Sequence, residues 1–459
     1  RTVTGVQTCA LPISKEPNVL LVDAGDTIQG AAVSYRSEGQ VMVKVLNHLR
    51  YDAWVWGNHE FDWGLAKLKA CAAQAKVPVL NANLTGLTVE PYRIFEAGGV
   101  KVGLIGLNTP GIPNWSRPRL IPGIKVADSI ETLRAVVPAV KRAGAEVLVL
   151  VCHQGYREAG DDHANQINAI ARHFPELDAI IAGHTHREFP EYRVHNILYC
   201  QAGYHGIHLG RVDLKYDTVA GKVAHGEART MLMDENVALD AEVLQLCRAE
   251  LERAEKELGR VIGEAKAEFT TAGGPRRETP VHDLVFESIA AAFRQRGVPV
   301  DVIVHGLLEP RAGLAKGPIR IRDVWNLVPY ENTLGVMNIS GRQLREVLEE
   351  NAAVIGKGDF RGVWGVQCEL DPTAAVGQRV VSLRKGDQPV GEADRFAVAF
   401  NSYELASGGL RWKKVRELAD DPAAHLVEYD FQTRQAIIDY IQAHSELTPR
   451  VREWWRYRR

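Results

Sequence analysis

Short apolar runs in the first half of the chain end in side chains that can bind a metal or transfer a proton. The runs are Asn18–Val22, Asp52–Trp56, Glu146–Val151 and Asp178–Ala182. The segments that follow them are, in the same order, Gly25-Asp26, Gly57-Asn58-His59-Glu60-Phe61-Asp62, Cys152-His153-Gln154-Gly155 and Gly183-His184-Thr185-His186. Parallel strands of an open α/β sheet end at one edge, where such sheets bind ligands. The pattern therefore predicts that these polar side chains converge.

Apolar positions between these runs recur with helical spacing, so strands and helices alternate as in an α/β fold. The expected helices cover 39–50, 65–75, 128–143 and 165–173. Residues 92–107 alternate like a hairpin whose buried strand is 101–107. The proline-containing stretch 108–122 is expected to be a surface loop.

A charged amphipathic helix is expected from Leu239 to about Ile262, where apolar residues mark one face and Glu252 and Lys256 form an i,i+4 pair. A chain of 459 residues is too long for one ordinary core. We therefore expect a first domain at 15–233, a connecting helix at 234–262 and a second domain at 263–459. Residues 1–14 show neither a signal-peptide pattern nor a strand, and we expect them to be a non-native leader.

The second domain is also expected to be α/β. The pattern predicts helices over 278–294, 340–351 and 430–447 and strands over 299–304 and 333–339. The second of these helices would be capped by Ser340. The basic and aromatic end, 450–459, is expected to dock on the surface as a tail.

Composition limits the classes of partner. Lys and Arg number 55 against 57 Asp and Glu, so the formal net charge of −2 gives no general affinity for nucleic acid or membranes. The six cysteines have no CxxC spacing, which argues against a zinc ribbon or a disulfide scaffold. The chain contains no apolar run long enough to predict a membrane-spanning helix.

The motifs after the four apolar runs resemble those of the calcineurin-like metallophosphoesterases. Together with the second half, the chain from about Asn18 onward resembles the bacterial 5′-nucleotidase and 2′,3′-cyclic nucleotide phosphodiesterase family. This resemblance implies a metallophosphoesterase α/β sandwich followed by a second α/β nucleotidase C-terminal domain.

The resemblance also implies a metal site in the first domain. Asp26 would bridge two divalent metals, and His186 would bind one of them. The ligands of the other would be Asn58, His153 and His184, and His59, paired with Asp62, would be the catalytic histidine. These ligand types suit Mn, Zn or Fe, and the sequence does not choose among them.

The family normally begins with a strand ending in Asp-x-His, whose two ligands share a metal with the residue that corresponds to His186. No Asp-x-His precedes Asp26 in this sequence. The resemblance therefore implies that one metal lacks two of its expected ligands.

In the second domain the resemblance implies a nucleotide clamp. The expected substrate-binding residues are Arg311, Asn401, Tyr403, Trp412 and Phe360. Trp412 could stack on a base with Phe360 or Trp364 on the other side, although these rings could instead belong to the core. The segments His305–Arg311 and Ser407–Trp412 have lost glycines of the family pattern, which indicates a changed pocket.

From this resemblance we expect the protein to hydrolyse phosphate monoesters, with nucleoside 5′-phosphates as the main expected substrates. The alternatives are a 2′,3′-cyclic nucleotide phosphodiesterase and a truncated or inactive nucleotide-binding homologue. The partner would be a nucleotide or another small phosphoester, with no nucleic acid and no membrane, and the protein would be a monomer. The likeness alone suggests a periplasmic or extracellular location.

Overall fold

The computed structural model describes residues 17–274 and 276–458. The expected leader, residues 1–14, lies outside this part of the chain. The chain divides into two compact units, one ending at Ala254 and the other beginning at Glu255. Within the described residues, no helix combines the length and the apolar content needed to cross a membrane.

The first unit alternates strands and helices, as the apolar spacing predicts. Its strands are β1 (Val22–Asp23), β2 (Ala53–Trp54), β3 (Leu84–Thr85), β4 (Tyr92–Ala97), β5 (Val100–Leu107), β6 (Lys125–Val126), β7 (Val147–Cys152), β8 (Ala179–Ala182), β9 (Glu188–Val194), β10 (Ile197–Ala202), β11 (His208–Asp217) and β12 (Lys222–Leu232). Its helices are α1 (Ala32–Arg36), α2 (Gln40–His48), α3 (Leu65–Gln74), α4 (Ser129–Arg142), α5 (Ile167–His173) and α6 (Ala241–Leu258), the last of which contains the division between the units.

The main sheet of this unit has the strand order β4-β5-β7-β8-β10-β9. Strands β5, β7, β8 and β10 run parallel, and the edge strands β4 and β9 run antiparallel to their neighbours. The predicted hairpin is confirmed as β4 and β5. Beside this sheet, β1 pairs in parallel with β2. The parallel strands therefore deliver the segments that follow them to common sheet edges.

Strand β7 shows why this sequence forms a buried parallel strand. All its residues are buried, as expected for a strand covered on both faces. Leu148, Leu150 and Cys152 pack in one apolar cluster. The alternate residues, 147, 149 and 151, pack in another cluster on the opposite face. Because both faces are buried, the register of β7 is fixed, and so is the position of His153, which follows it.

The expectation of a surface loop at 108–122 is wrong for its first part. Asn108 and Ile112 are fully buried. The Asn108 backbone N–H donates to Asn83 Oδ1 (2.9 Å), and its carbonyl accepts from Gln154 Nε2 (3.0 Å). Buried backbone is tolerated here because side chains distant in sequence satisfy its polar groups.

The second unit is also a mixed α/β structure. Its strands are β13 (Val261–Ala265), β14 (Val302–His305), β15 (Gly317–Arg320), β16 (Thr333–Ser340), β17 (Gly362–Trp364), β18 (Gln367–Leu370), β19 (Val380–Lys385), β20 (Gln388–Pro389), β21 (Arg395–Asn401), β22 (Val427–Gln432), β23 (Glu446–Leu447) and β24 (Trp455–Tyr457). Its helices are α7 (Pro280–Gln295), α8 (Ile321–Leu327), α9 (Gly341–Ala352), α10 (Ser402–Leu405), α11 (Lys413–Asp420) and α12 (Thr433–His444).

The central sheet of this unit has the order β17-β14-β21-β16-β22, and a second sheet has the order β20-β19-β18-β24. The predicted cap of α9 is confirmed, since the Ser340 side chain accepts from the Gln343 N–H. The C-terminal segment is bound more tightly than the expected surface tail. Its strand β24 pairs with β18, and Trp455 is only 2% exposed.

The first turn of helix α7 contains a histidine, His282, that is neutral in the folded protein at neutral pH. The N–H of Thr279 donates to Nδ1 of His282 (3.2 Å), so this nitrogen acts as an acceptor. Burial, and then the charge of His305, lowers the pKa of His282 to about 3.

We expect the second unit to lose stability in mild acid because of His282. Its pKa in the unfolded chain is about 6.5, so the unfolded chain binds more protons below that pH. The stabilisation is complete above about pH 6.5 and decreases as the pH falls toward the folded pKa. The free energy of unfolding should fall by about 2 kcal/mol between pH 7 and pH 5 from this residue.

Urea denaturation at several pH values, with His282→Gln for comparison, checks this prediction. Glutamine keeps an acceptor at the third helical position but does not titrate. The variant should therefore show the smaller loss of stability in acid. Equal pH dependence in both proteins would contradict the assignment to His282.

Candidate metal centre

The structure brings together three of the predicted metal ligands. Asp26 follows β1, His153 follows β7 and His184 follows β8. Their carboxylate and imidazole ligand atoms all lie within 4.8 Å of one another. The ends of strands far apart in sequence thus form one cluster that could hold a metal ion.

The hydrogen bond made by Nδ1 of His153, the ring nitrogen that faces away from the cluster, shows which nitrogen would bind a metal. Nδ1 of His153 lies 2.7 Å from the Ala24 carbonyl oxygen, which can only accept, so Nδ1 carries a proton. Nε2 faces the cluster, 2.9 Å from Asp26 Oδ2. A metal-binding histidine is normally oriented by such a bond from its other nitrogen. Nε2 is therefore the ligand atom.

The charges of the cluster favour an ionised Asp26 and a neutral His184. Burial opposes ionisation of Asp26, but the charges of His153 and His59 outweigh it and lower the Asp26 pKa. Burial also opposes protonation of His153, but the Asp26 carboxylate outweighs it and raises the His153 pKa. Burial, and then the charge on His153, holds the His184 pKa well below its usual value. A bound cation would displace the His153 proton, so its affinity would depend on pH.

Asn58 supplies an independent test of whether a metal fits. Its Oδ1 is buried and makes no hydrogen bond within the described part of the chain. An unpaired buried amide oxygen is costly, and a hard cation would satisfy it. The clustered Asp26 and histidines offer oxygen and nitrogen donors that suit a divalent transition metal, and the role of Asn58 as a further ligand stays a prediction.

Two glycines leave the space for this cluster. A Cβ atom on Gly57 would lie 2.7 Å from His153 Nε2 and even closer to Asp26 Oδ1. A Cβ atom on Gly25 would lie 2.5 Å from the Gly57 nitrogen, and the φ of Gly25 is +96°. Any larger residue at either position would push the two strand ends apart or block the ligand atoms.

The backbone at the cluster is strained. Asp26, His184 and His186 have φ values of 62°, 72° and 56°, in the left-handed region that residues with a Cβ rarely adopt. Such strain concentrates at binding and catalytic sites, where the surrounding structure holds it. The strain at these three positions is consistent with their predicted roles, which stay predictions.

His59 lies beside the cluster on the short 3₁₀ turn His59–Phe61 that follows β2. Its backbone N–H donates to Asp26 Oδ1 (2.9 Å). Its Nδ1 lies 2.7 Å from Asp62 Oδ2, and both side chains are half-buried. The structure thus places the predicted catalytic pair next to the predicted ligands. Their roles stay predictions.

His186 does not belong to the group whose ligand atoms lie within 4.8 Å. Its side chain is exposed, and its ring stacks on Tyr204 with centroids 5.4 Å apart. Although part of the residue is exposed, neighbouring groups exclude water from around its ring, and this desolvation is the main cause of the lowered pKa of His186. The lowered pKa favours the neutral form that a metal ligand needs. Its assignment to a second metal stays a prediction.

Glu60 is a site residue that the sequence reasoning missed. It is 1% exposed. Its carboxylate accepts from the N–H groups of Asp26 (2.8 Å), Thr27 (2.6 Å), Ile28 (3.3 Å) and Gly57 (2.5 Å). Burial, and then the charge of Asp26, raises the Glu60 pKa to about 7. The residue lies within the motif Gly57–Asp62, but local spacing did not reveal that it joins the loops after β1 and β2.

Replacing Glu60 should therefore destabilise both loops. Glu60→Ala removes the acceptor of these N–H groups, and each unpaired group costs about 1–3 kcal/mol. We expect the free energy of unfolding, measured by urea denaturation, to fall by about 3 kcal/mol or more in Glu60→Ala. It should fall less in Glu60→Gln, which keeps one side-chain oxygen as an acceptor. A Glu60→Ala variant whose free energy of unfolding lies within about 0.5 kcal/mol of the wild-type value would contradict this role.

The structure corrects the predicted stacking residues of the second unit. Trp412 is 1% exposed and Phe360 is 4% exposed, and both belong to the apolar core. The Phe360 ring lies against Trp455, with centroids 4.9 Å apart. A ring enclosed in the core offers no face to a base, so neither residue can stack on substrate in this conformation. Trp364 is half-buried beside Trp454.

The other three predicted substrate residues have different environments. Asn401 is fully buried, and its Oδ1 caps α10 by accepting from the N–H of Tyr403 (2.9 Å) and of Glu404 (3.1 Å). Tyr403 is half-buried under the guanidinium of Arg411. Arg311 is exposed. Asn401 thus has a structural role, and substrate contact by Tyr403 or Arg311 stays a prediction.

Comparison with known proteins agrees with this geometry. Residues 6–188 match the family model of the calcineurin-like phosphoesterases, and residues 261–417 match that of the 5′-nucleotidase C-terminal domain. The calcineurin-like phosphoesterase fold implies divalent metal ions, and the Asp26, His153 and His184 cluster is a candidate site for one.

The chain is 25% identical to the trifunctional nucleotide phosphoesterase protein YfkN of Bacillus subtilis over 96% of its length, but it spans only 36% of that protein. It is 26% identical to the 2′,3′-cyclic-nucleotide 2′-phosphodiesterase/3′-nucleotidase of Haemophilus influenzae, covering 96% of this chain and 80% of that one.

Among solved structures, a 5′-nucleotidase precursor from Thermus thermophilus shares the fold, with a TM-score of 0.74 and 24% identity over 97% of this chain and 91% of that one. The chain therefore belongs to the family of metal-dependent phosphoesterases that joins a calcineurin-like phosphoesterase domain to a 5′-nucleotidase C-terminal domain.

Proposed function

We propose that this protein hydrolyses phosphate monoesters, with nucleoside 5′-phosphates as its main substrates, with the help of two divalent cations. One observation carries the proposal. The clustered ligand atoms of Asp26, His153 and His184 lie directly beside the His59 and Asp62 pair, since the His59 N–H is bound to Asp26. A site that combines cation ligands with a held imidazole can bind a phosphoryl group and protonate a leaving oxygen.

In this proposal Asp26, Asn58, His153 and His184 would hold one cation. Asp26 and His186 would hold a second cation. Divalent cations would supply positive charge to the phosphoryl oxygens and would acidify the attacking water. The donor set suits Mn, Zn or Fe.

His59 is proposed to act as the general acid. Its Nδ1 is held by the Asp62 carboxylate, which fixes the ring and stabilises the protonated imidazole. As water adds to phosphorus, the bond from phosphorus to the ester oxygen breaks. The proton of His59 then passes to that leaving oxygen, and the products are an alcohol and inorganic phosphate.

A second candidate reaction is hydrolysis of 2′,3′-cyclic nucleotides. The name of the Haemophilus influenzae relative, which matches 96% of this chain, favours it. Rates of hydrolysis of a nucleoside 5′-monophosphate and of a 2′,3′-cyclic nucleotide separate the two. Faster hydrolysis of the 5′-monophosphate supports the main proposal, and faster hydrolysis of the cyclic ester supports the second.

A third candidate is a nucleotide-binding protein without activity. It would bind metal and nucleotide but release no phosphate from either ester. We further propose a monomer with a small phosphoester as its partner, in the periplasm or outside the cell, with domain bounds of 15–233, 234–262 and 263–459. Sedimentation of the purified protein tests the monomer, and limited proteolysis tests the bounds.

A further inference from the structure

The His184 ring is held by other rings and not by a hydrogen bond. Its ring centroid lies 5.0 Å from that of Trp115 and 5.1 Å from that of His153. Neither nitrogen of His184 makes a hydrogen bond to another described residue. Metal-binding histidines are usually oriented through their second nitrogen, as His153 is through Ala24. Something else must therefore fix the plane of His184.

Trp115 is carried by an ordered loop. The Thr109 hydroxyl donates to the Ala164 carbonyl (2.8 Å) and accepts from the Gly111 N–H (3.1 Å). The backbone N–H of Trp115 donates to the Ile112 carbonyl (3.0 Å). These bonds hold the chain on both sides of the tight turn that precedes Trp115. The backbone that carries the indole is therefore held in place next to the histidine.

Gly111 leaves the space that the indole occupies. A Cβ atom on Gly111 would lie 2.5 Å from Cη2 of Trp115. The φ of Gly111 is −75°, which any residue can adopt. A Cβ atom there would also lie 2.9 Å from Cβ of Ala164, so the glycine is required by the Trp115 ring and the Ala164 side chain and not by its own backbone conformation. The loop is shaped around an indole in contact with His184.

We propose that Trp115 is a positioning residue that orients His184 for metal binding. The proposal rests on the metal centre of the proposed function and deepens it. The indole would restrict rotation of the imidazole before the cation binds, which lowers the cost of ordering. Its electron-rich face would also stabilise the positive charge that an imidazole gains when it binds a divalent cation.

Calorimetric titration of the full chain with Mn²⁺ tests this role. The variant is Trp115→Leu, and Trp115→Phe is the matched control that keeps an aromatic face. Loss of a group that orients a metal ligand typically costs about 10–100-fold in affinity. We expect a loss of this size in Trp115→Leu and a loss of no more than about threefold in Trp115→Phe.

The melting temperature of each metal-free protein separates positioning from packing. A residue that only packs would lower this temperature in Trp115→Leu and leave the Mn²⁺ affinity of the folded protein unchanged. Gly111→Ala provides a second variant that keeps Trp115 but displaces its ring. It should also bind Mn²⁺ more weakly, and it decides the question if Trp115→Leu does not fold.

The outcomes distinguish this inference from the proposed function. Wild-type protein that binds no Mn²⁺ would overturn both the metal centre and the role of Trp115. Wild-type protein that binds Mn²⁺, with the same affinity in the folded Trp115→Leu and Gly111→Ala variants, would overturn the role of Trp115 alone. Weaker binding in both variants, with binding kept in Trp115→Phe, would support it.

Discussion

His59→Ala lowers the kcat for phosphate release by about 10²–10⁴-fold, the usual contribution of a positioned general acid. The affinity for Mn²⁺ stays close to that of the wild type, because the contact between His59 and Asp26 is made by the backbone N–H, which the substitution keeps. Steady-state phosphate release and Mn²⁺ titration of the same preparation measure the two quantities.

The matched control is His225→Ala. His225 is an exposed histidine of the same unit, paired with Glu227 on β12, and its loss should change neither quantity. The kcat of Asp62→Asn should lie between those of His59→Ala and His225→Ala. The amide can still accept from Nδ1 of His59, but it no longer stabilises a charged imidazole. A His59→Ala variant with the kcat of the wild type would show that His59 is not the general acid.

Asp26→Asn weakens Mn²⁺ binding more than loss of a group that only orients a ligand does. Loss of such an orienting group costs about 10–100-fold in affinity. Asp26 supplies the carboxylate of the cluster, and an amide gives a cation a weaker ligand without charge. The amide oxygen can still accept from the His59 N–H, so the loop after β2 should keep its shape. Calorimetric titration measures the affinity.

The same titration has an expected pH dependence. Asp26 raises the pKa of His153, and a cation must displace that proton. Wild-type affinity should therefore decrease as the pH falls below the raised pKa, by about tenfold per pH unit for one proton. In Asp26→Asn the decrease should begin at lower pH, because the carboxylate that raised the pKa is gone.

Asp217→Asn, at the end of β11, is the matched control for loss of one carboxylate. It should bind Mn²⁺ as the wild type does. Equal affinity in Asp26→Asn and Asp217→Asn would show that the cation binds elsewhere.

Local pattern was enough to predict the strands and the convergence of their ends. The run 146–151 became β7 nearly as predicted, because a strand buried on both faces must be continuously apolar. Asp26, His153 and His184 came together because parallel strands end at a common edge. These features depend on the periodicity of the sequence and on strand direction.

Features that depend on distant partners were not predictable in this way. Burial of Asn108 requires side chains at positions 83 and 154, and the role of Glu60 requires N–H groups from the loop after β1. Trp412 looked available for stacking because its loop resembles a substrate loop, but it fills the core of the second unit. An aromatic residue at a given position does not reveal on which side of the backbone its ring will pack.

The most direct test is to remove metals from the purified protein with a chelator, add back Mn²⁺, and measure bound metal and phosphate release from a nucleoside 5′-monophosphate together. The account predicts that the metal-free protein releases no phosphate, and that turnover rises with Mn²⁺ until two ions are bound per chain. Phosphate release that is unchanged without metal, or metal binding without any release, would contradict it.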